Sequence, residues 1–279
     1  MKKIQSLKII VCIYLLLVLI PLTGAFFMKD KHAIEEQVLL NLIAEIDRNS
    51  EEEALKAQAI LIRTNLTLHP QESEVNMSRL KAFLKEDTTG NAYERFQKAV
   101  NDTEGIVVKV DGKLKELPYH KVSCGSTRAA GEITDASADY LMSVSCPEDI
   151  LAKDYLQVFY FSREELGEEV EIVSRFDSGY VEKVKIRLPE TDRENRDETQ
   201  ERANTLILTG EQFRKKYSLP SACFYVDEVK NKIRIVTKGR GHGLGLSQNK
   251  ANVLAKEGKN AEEILAYFFK NIKLCQNEE

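Results

Sequence analysis

From Ala33 to Ile46 the apolar residues Val38, Leu39, Leu42, Ile43 and Ile46 recur at helical spacing, which predicts an amphipathic helix. Asn49 and Ser50, with Glu53 three residues after Ser50, form the pattern of a capping box, opening a second helix that runs to about Leu66. A third helical stretch covers Met77 to Phe83, and a fourth lies near Tyr93–Val100 after a polar loop. The pattern then changes. GIVVKV, YLQVFYF, VEIVSRF, VEKVKIRL, TLILT, FYVDEV and KIRIV are short, β-branched or aromatic and often alternating, as strands are. The last two flank Asp227–Lys232 and read as a hairpin. A helix follows Ser247 up to Gly258, and another runs from Ala261 to about Ile272. The fold class is α+β, with N-terminal helices, a mostly antiparallel β body and C-terminal helices.

The N-terminus follows neither period. Lys2, Lys3 and Lys8 precede an uncharged, mostly apolar run from Ile9 to Met28, closed by Lys29, Asp30 and Lys31. Such a run, as a helix, spans the roughly 30 Å hydrocarbon core of a bilayer. The expected organisation is a cytoplasmic leader (1–8), a single transmembrane anchor (9–28) and an extracytoplasmic domain (29–279). Thr23-Gly24-Ala25 leaves a cleaved signal peptide as the rival, although the run is long for one and lacks a clean A-x-A site. Residues 190–204, ETDRENRDETQERAN, are almost wholly charged or polar and read as a solvated loop.

Composition narrows the picture. The 279 residues suit one large domain or two small ones, and a net charge of −4 gives no electrostatic case for nucleic acid. Neither G-x-G-x-x-G nor a G-K-[ST] phosphate loop occurs, so nucleotide binding has no motif. Four cysteines lie beyond the anchor: Cys124, Cys146, Cys223 and Cys275. His120 and Cys124 stand four apart, with Cys146 further on; an imidazole and two thiolates suit a zinc site. A Cys124–Cys146 disulfide or unpaired thiols are the alternatives that spacing leaves open.

Two helical positions carry candidate chemistry. Glu45 falls at the edge of the stripe made by Val38, Leu42 and Ile46, where partial loss of hydration favours the proton-bearing form a general acid needs. Asp47, two positions on, points about 200° away and does not share that face. Gln58 lies inside the stripe of Ala54, Leu55 and Ile62, so its amide either braces a loop or meets a ligand.

The stretch GRGHGLGLSQ, residues 239–248, has glycine at every second position to 245. If it runs extended, the glycines form one side and Arg240, His242, Leu244 and Leu246 the other. The glycine side, Gly241 and Gly243 included, then offers a flat backbone wall that something can approach closely. Ser247 suits the N-cap of the following helix, whose amino end favours anions. The alternative is a tight glycine bulge against the first helix, with His242 a core residue. Arg128, in STR, is a candidate ligand contact or a surface cation, and Gln248 closes the glycine block.

Three motifs in order carry a family resemblance. EALKAQAILIRTN, just after IAEI, resembles the EALKAQAVAARTY block that follows an A-E-M motif in the SpoIID/LytB family. SCGSTR occupies the place of the family's S-S-G-G-x-T, and GRGHGLGLSQ resembles its GHGVGMSQ signature. TLILTGEQFRKKYSLPSACFYV is similar to the segment preceding the glycine block. The resemblance implies a peptidoglycan lytic transglycosylase that cleaves MurNAc–GlcNAc bonds of stem-peptide-free glycan strands and leaves 1,6-anhydro-MurNAc ends. It places the catalytic glutamate at Glu45, with Ile46 where the family has methionine. It further implies glycan contacts from Gln58, Arg128, Arg240, Gly241, His242, Gly243, Ser247 and Gln248, no required cofactor, and a sporulation setting such as engulfment. The implied partners are an amidase, SpoIIP, and a membrane protein, SpoIIM. A non-enzymatic amidase enhancer or a glycan-gripping scaffold is the other reading.

Overall fold

The structure is a computed structural model that describes residues 33–70, 77–133, 138–188 and 205–277. The expected leader, anchor and signal site, and the charged loop at 190–204, lie outside the described residues. Among the described residues no helix is long and apolar enough to cross a membrane.

The N-terminal layer is helical. Residues 33–45 form α1, followed by α2 (Glu52–Leu68), α3 (Met77–Glu86) and α4 (Asn91–Asp102). Val38, Leu42 and Ile46 bury against Leu55, Phe83 and Phe96 in one apolar cluster, which is why the stripe of α1 is legible in the sequence. The expected capping box at Ser50 does not form: Glu51 is the N-cap of α2 and receives no side-chain cap. Ser50 is buried, and its carbonyl accepts from Arg95 of α4. Glu53 instead accepts the amide of Ala261 at 2.8 Å, capping a helix far along the chain. Arg63 of α2, fully buried, ties the layer together through Glu35 at 2.7 Å and the carbonyls of Val100 and Ile106.

The β part contains four sheets. Strand β1 (Ile106–Val110) lies between β2 (Lys113–Leu114) and β11 (Ile272–Gln276), antiparallel to both. Strand β3 (Tyr119–His120) pairs in parallel with β10 (Leu246–Ser247). In the third sheet β9 (Lys232–Lys238) is flanked by β4 (Leu156–Phe161) and β8 (Phe224–Val229). In the fourth, β6 (Val181–Arg187) is flanked by β5 (Glu169–Arg175) and β7 (Thr205–Thr209). The hairpin is as expected, with Lys230 at φ 56 in its two-residue turn. The last two sheets share one core, in which Val184 and Ile186 meet Phe224, Ile233 and Ile235. Two short helices, α5 (Arg163–Leu166) and α6 (Gly210–Lys216), close that body.

At the C-terminal end α7 (Gln248–Lys256) starts at Ser247, whose hydroxyl accepts the Lys250 amide. α8 (Ala261–Phe268) opens on a true capping box, Asn260 with Glu263. The helix expected to reach Ile272 stops at Phe268. Asn271 takes φ 56, and the chain returns as β11 along β1. The observed class is α+β with mainly antiparallel sheets, and the last element among the described residues is a strand rather than a helix.

Candidate functional site

A cleft of about 500 Å³ lies where the helical layer, the β3–β10 pair and the β body meet. The end of α1 contributes Glu45, α3 Arg79, β3 and the residue after it Tyr119, His120 and Lys121, and α6 Arg214. The glycine block contributes Arg240, Gly241 and His242, and the first turn of α7 contributes Gln248. Glu45 is the one carboxylate lining the cleft among the described residues; Asp47 is exposed and accepts the amide of Asn49 at 2.8 Å. The Glu45 side chain is 34% exposed and lies 3.4 Å from the Arg79 guanidinium, which also donates to the Ala44 carbonyl at 3.1 Å. Burial, with a smaller contribution from the Glu45 charge, holds the Tyr119 phenol well above its ordinary value, so it stays protonated as a donor.

The glycine block is not an extended ribbon. Gly239, Gly241, Gly243 and Gly245 all have positive φ, from 66° to 117°, so every second residue turns the chain. Each of them approaches protein closely. A Cβ on Gly243 would lie 2.5 Å from Tyr180 Cζ, and one on Gly245 2.0 Å from the Pro118 carbonyl. Gly243 is therefore buried against a tyrosine ring and offers no face to a sugar; Gly241 alone of the four lines the cleft.

Three further expected contacts sit inside the protein. Arg128, 1% exposed, pairs with Glu132 at 3.3 Å and Glu211 at 2.9 Å, stacks over Tyr180, and gives its backbone amide to Gly243 at 2.8 Å. It holds the glycine turn in place. Gln58 is fully buried, and its oxygen lies 3.5 Å from the Gln248 amide, so it braces the cleft residue from behind. Ser247 is fully buried and donates to Asp149 at 2.7 Å, while Asp149 also accepts Ser123 N and Asn249 Nδ2. The expected anion site at the amino end of α7 is thus already filled by a carboxylate of the protein.

Both histidines of the site clamp one residue, Leu244, from its two sides. His120 Nδ1 donates to the Leu244 carbonyl and His242 Nδ1 accepts the Leu244 amide, each at 3.0 Å. The rings lie 5.8 Å apart. These bonds fix opposite tautomers: Nε2 is bare on His120 and carries hydrogen on His242. His120 Nε2 is buried without a partner among the described residues. Burial pushes His120 down to about 4, and burial followed by the charges of His120 and Arg214 pushes His242 down to about 3.

Both rings are neutral at pH 7, and a pH dependence follows. In the unfolded chain each takes up its proton near 6.5. Unfolding therefore binds protons as pH falls below that value, so stability is whole above 6.5 and declines towards about 4. The loss is on the order of 2 kcal/mol per histidine at pH 5. The urea midpoint is expected to fall between pH 7 and pH 5, with proton uptake on unfolding approaching two. A flat midpoint over that window contradicts the assignment.

The sulfurs do not assemble with His120. Cys124, Cys146, Cys223 and Cys275 are all free. Cys124 donates to the Ser178 carbonyl at 3.2 Å and has Cys223, not Cys146, as its sulfur neighbour. Burial pushes Cys146 up to about 12. Among the described residues no three His, Cys, Asp or Glu side chains converge to hold a metal ion.

Of the expected site residues, then, Glu45, Arg240, Gly241, His242 and Gln248 share the cleft, whereas Gln58, Arg128, Gly243 and Ser247 support it from inside. Arg79, Tyr119, Lys121 and Arg214 line it without having been picked out; the run YHKVSC, read only for its histidine and cysteine, held Tyr119 and Lys121 on either side of that histidine.

The fold and site define an α+β protein with a polar cleft in which one carboxylate faces several cations. Residues 29–109 match the family model described as "SpoIID: Stage II sporulation protein". The chain is 28% identical to Stage II sporulation protein D of Bacillus subtilis (strain 168) over 263 residues, covering 87% of this chain and 74% of that protein. It is 26% identical to Stage II sporulation protein D of Bacillus amyloliquefaciens over 279 residues, covering 92% and 79%. An uncharacterized protein of Brachyspira hyodysenteriae is 26% identical over 271 residues, covering 92% and 71%. The chain therefore resembles SpoIID proteins, by the model match over residues 29–109 and by 26–28% identity to the two Bacillus proteins over most of its length.

Proposed function

We propose that the chain is a membrane-anchored peptidoglycan lytic transglycosylase acting on stem-peptide-free glycan strands during sporulation. The observation that carries this reading is that Glu45 is the one carboxylate lining the cleft of about 500 Å³ among the described residues. A glycoside hydrolase ordinarily needs two carboxyl groups, one as acid and one to attack or to activate water. A transglycosylase needs one, because the sugar's own 6-hydroxyl is the nucleophile. Glu45 protonates the leaving glycosidic oxygen as the anomeric carbon–oxygen bond breaks. The 6-oxygen bonds to the anomeric carbon, and its proton passes to Glu45, restoring the acid.

The other cleft residues have roles that fit. Arg79 fixes the Glu45 side chain at the end of α1, as the 3.4 Å pair indicates. The Tyr119 hydroxyl is a donor for sugar oxygens, while His120 and His242 line the cleft and fix its wall through Leu244. Arg240 is held by Asp154 at 2.8 Å and borders the opening. The names of the two Bacillus relatives support the sporulation setting, and the basic leader and apolar run at 9–28 support a single-pass anchor with the domain outside the cell. An amidase that strips stem peptides, such as SpoIIP, and the membrane protein SpoIIM are the partners this reading implies.

The test is to incubate the full-length protein with peptide-free glycan strands and weigh the new ends. Anhydro ends, one water lighter than reducing ends, are expected. Ends carrying added water would mean hydrolysis, and glycan binding without new ends would favour an amidase enhancer or a scaffold.

A further inference from the structure

The cleft carries more positive than negative charge, and one cation in it is unmatched. Arg79 has Glu45 at 3.4 Å, Arg214 has Glu211 at 3.2 Å, and Arg240 has Asp154 at 2.8 Å. Lys121 lines the same cleft, yet its ammonium has no carboxylate within ion-pair distance among the described residues. Its backbone is fixed. The Lys121 carbonyl accepts Asn249 N at 3.1 Å, and the next residue exchanges two hydrogen bonds with Arg240. Burial first, then the charges of Arg79 and Arg240, push the Lys121 ammonium below the usual lysine range, against a smaller opposing pull from Asp154 and Glu45. An anion entering the cleft relieves that repulsion. The other place suited to an anion, the amino end of α7, is already occupied by Asp149.

Resting on the transglycosylase reading above, we propose that Lys121 is the specificity-determining cation of the cleft. It takes the free lactyl carboxylate of a muramic residue from which the stem peptide has been removed. On a peptide-bearing strand the same lactyl group is a neutral amide. It offers no charge to Lys121 and leaves the ammonium half-buried and unpaired. Charge-assisted hydrogen bonds are roughly twice as strong as neutral ones, so one lysine reads whether an amidase has acted.

The experiment compares two glycan substrates that differ only at this group: strands with free lactyl carboxylates, and the same strands capped as methylamides. Cleavage by the full-length protein, Lys121→Gln and Lys121→Arg is followed on both. The parent is expected to prefer the carboxylate strands by on the order of 10- to 100-fold in kcat/KM. Lys121→Gln should lose that preference chiefly through a raised KM on carboxylate strands, and Lys121→Arg should restore most of it. Equal losses on both substrates, or a parent that does not discriminate, overturns the inference. Should the parent cleave neither strand, the transglycosylase reading fails. Calorimetric binding of the two strands to the parent and to Lys121→Gln then decides the Lys121 inference separately, on the same ratio.

Discussion

Gly245→Ala is expected to destabilise the protein by about 4 kcal/mol or more, in the range that marks a severe core defect. At φ +66 the added carbon would sit 2.0 Å from the Pro118 carbonyl oxygen and 3.1 Å from the Phe269 ring. That carbonyl is not free to retreat, because it accepts the Leu246 amide at 3.0 Å and leads directly into β3, which pairs with β10. Relief of the clash therefore means parting the two strands that hold Tyr119 and His120 in the cleft wall. Gly90→Ala is the control. Its φ is +76, but nothing lies within 4 Å of the new carbon, so the cost is only the roughly 1–2 kcal/mol of a left-handed alanine. Urea unfolding of the two variants at equal slope measures the difference. Equal midpoints contradict the close packing assigned to the glycine turn.

That turn also shows where the sequence was readable and where it was not. Glycine at alternate positions signalled close backbone approach, and close approach is what occurs. Alternation also pointed to an extended ribbon with a free face, whereas positive φ at all four glycines folds the block against Ser123, His120, Tyr180 and Pro118. These partners come from distant segments, so no local period could announce them. Arg128 reads the same way: beside its near neighbour Glu132, its partners Glu211, Phe176 and Tyr180 are far along the chain, and only folding buries the charge. Helix α1 was legible because its one apolar face packs on one cluster. The strand β11 was not, because Phe268, Phe269 and Ile272 keep a helical spacing across Asn271, where the chain turns, and the pairing partner β1 lies far earlier in the sequence. Ser50 had the composition of a cap, but packing against Arg95 buried it.

The cleft itself was half legible. Glu45 drew attention by its place on α1 and by its motif, and Arg240, His242 and Gln248 by the glycine block. Arg79, Lys121 and Arg214 come from three separate elements and become a group only in the folded protein. Their charges surround the one carboxylate that lines the cleft among the described residues, a setting that suits the anionic ligand proposed above.

Glu45→Gln is expected to lower glycan cleavage by about a hundredfold to ten-thousandfold, the usual contribution of a positioned general acid. The fold should be untouched. Glutamine has the same shape, the side chain is partly exposed, and the lost pair with Arg79 is a partly exposed one of the kind that contributes less than about 1 kcal/mol. Binding of peptide-free glycan should persist, since Lys121, Arg240 and His242 remain. The decisive measurement is therefore the rate at which anhydro-muramic ends appear from such strands, for the parent and for Glu45→Gln at equal folded fraction and equal glycan occupancy. Abundant anhydro ends from the parent and almost none from the variant are predicted. Equal rates from both would contradict the assignment of Glu45 as the acid and base of this cleft.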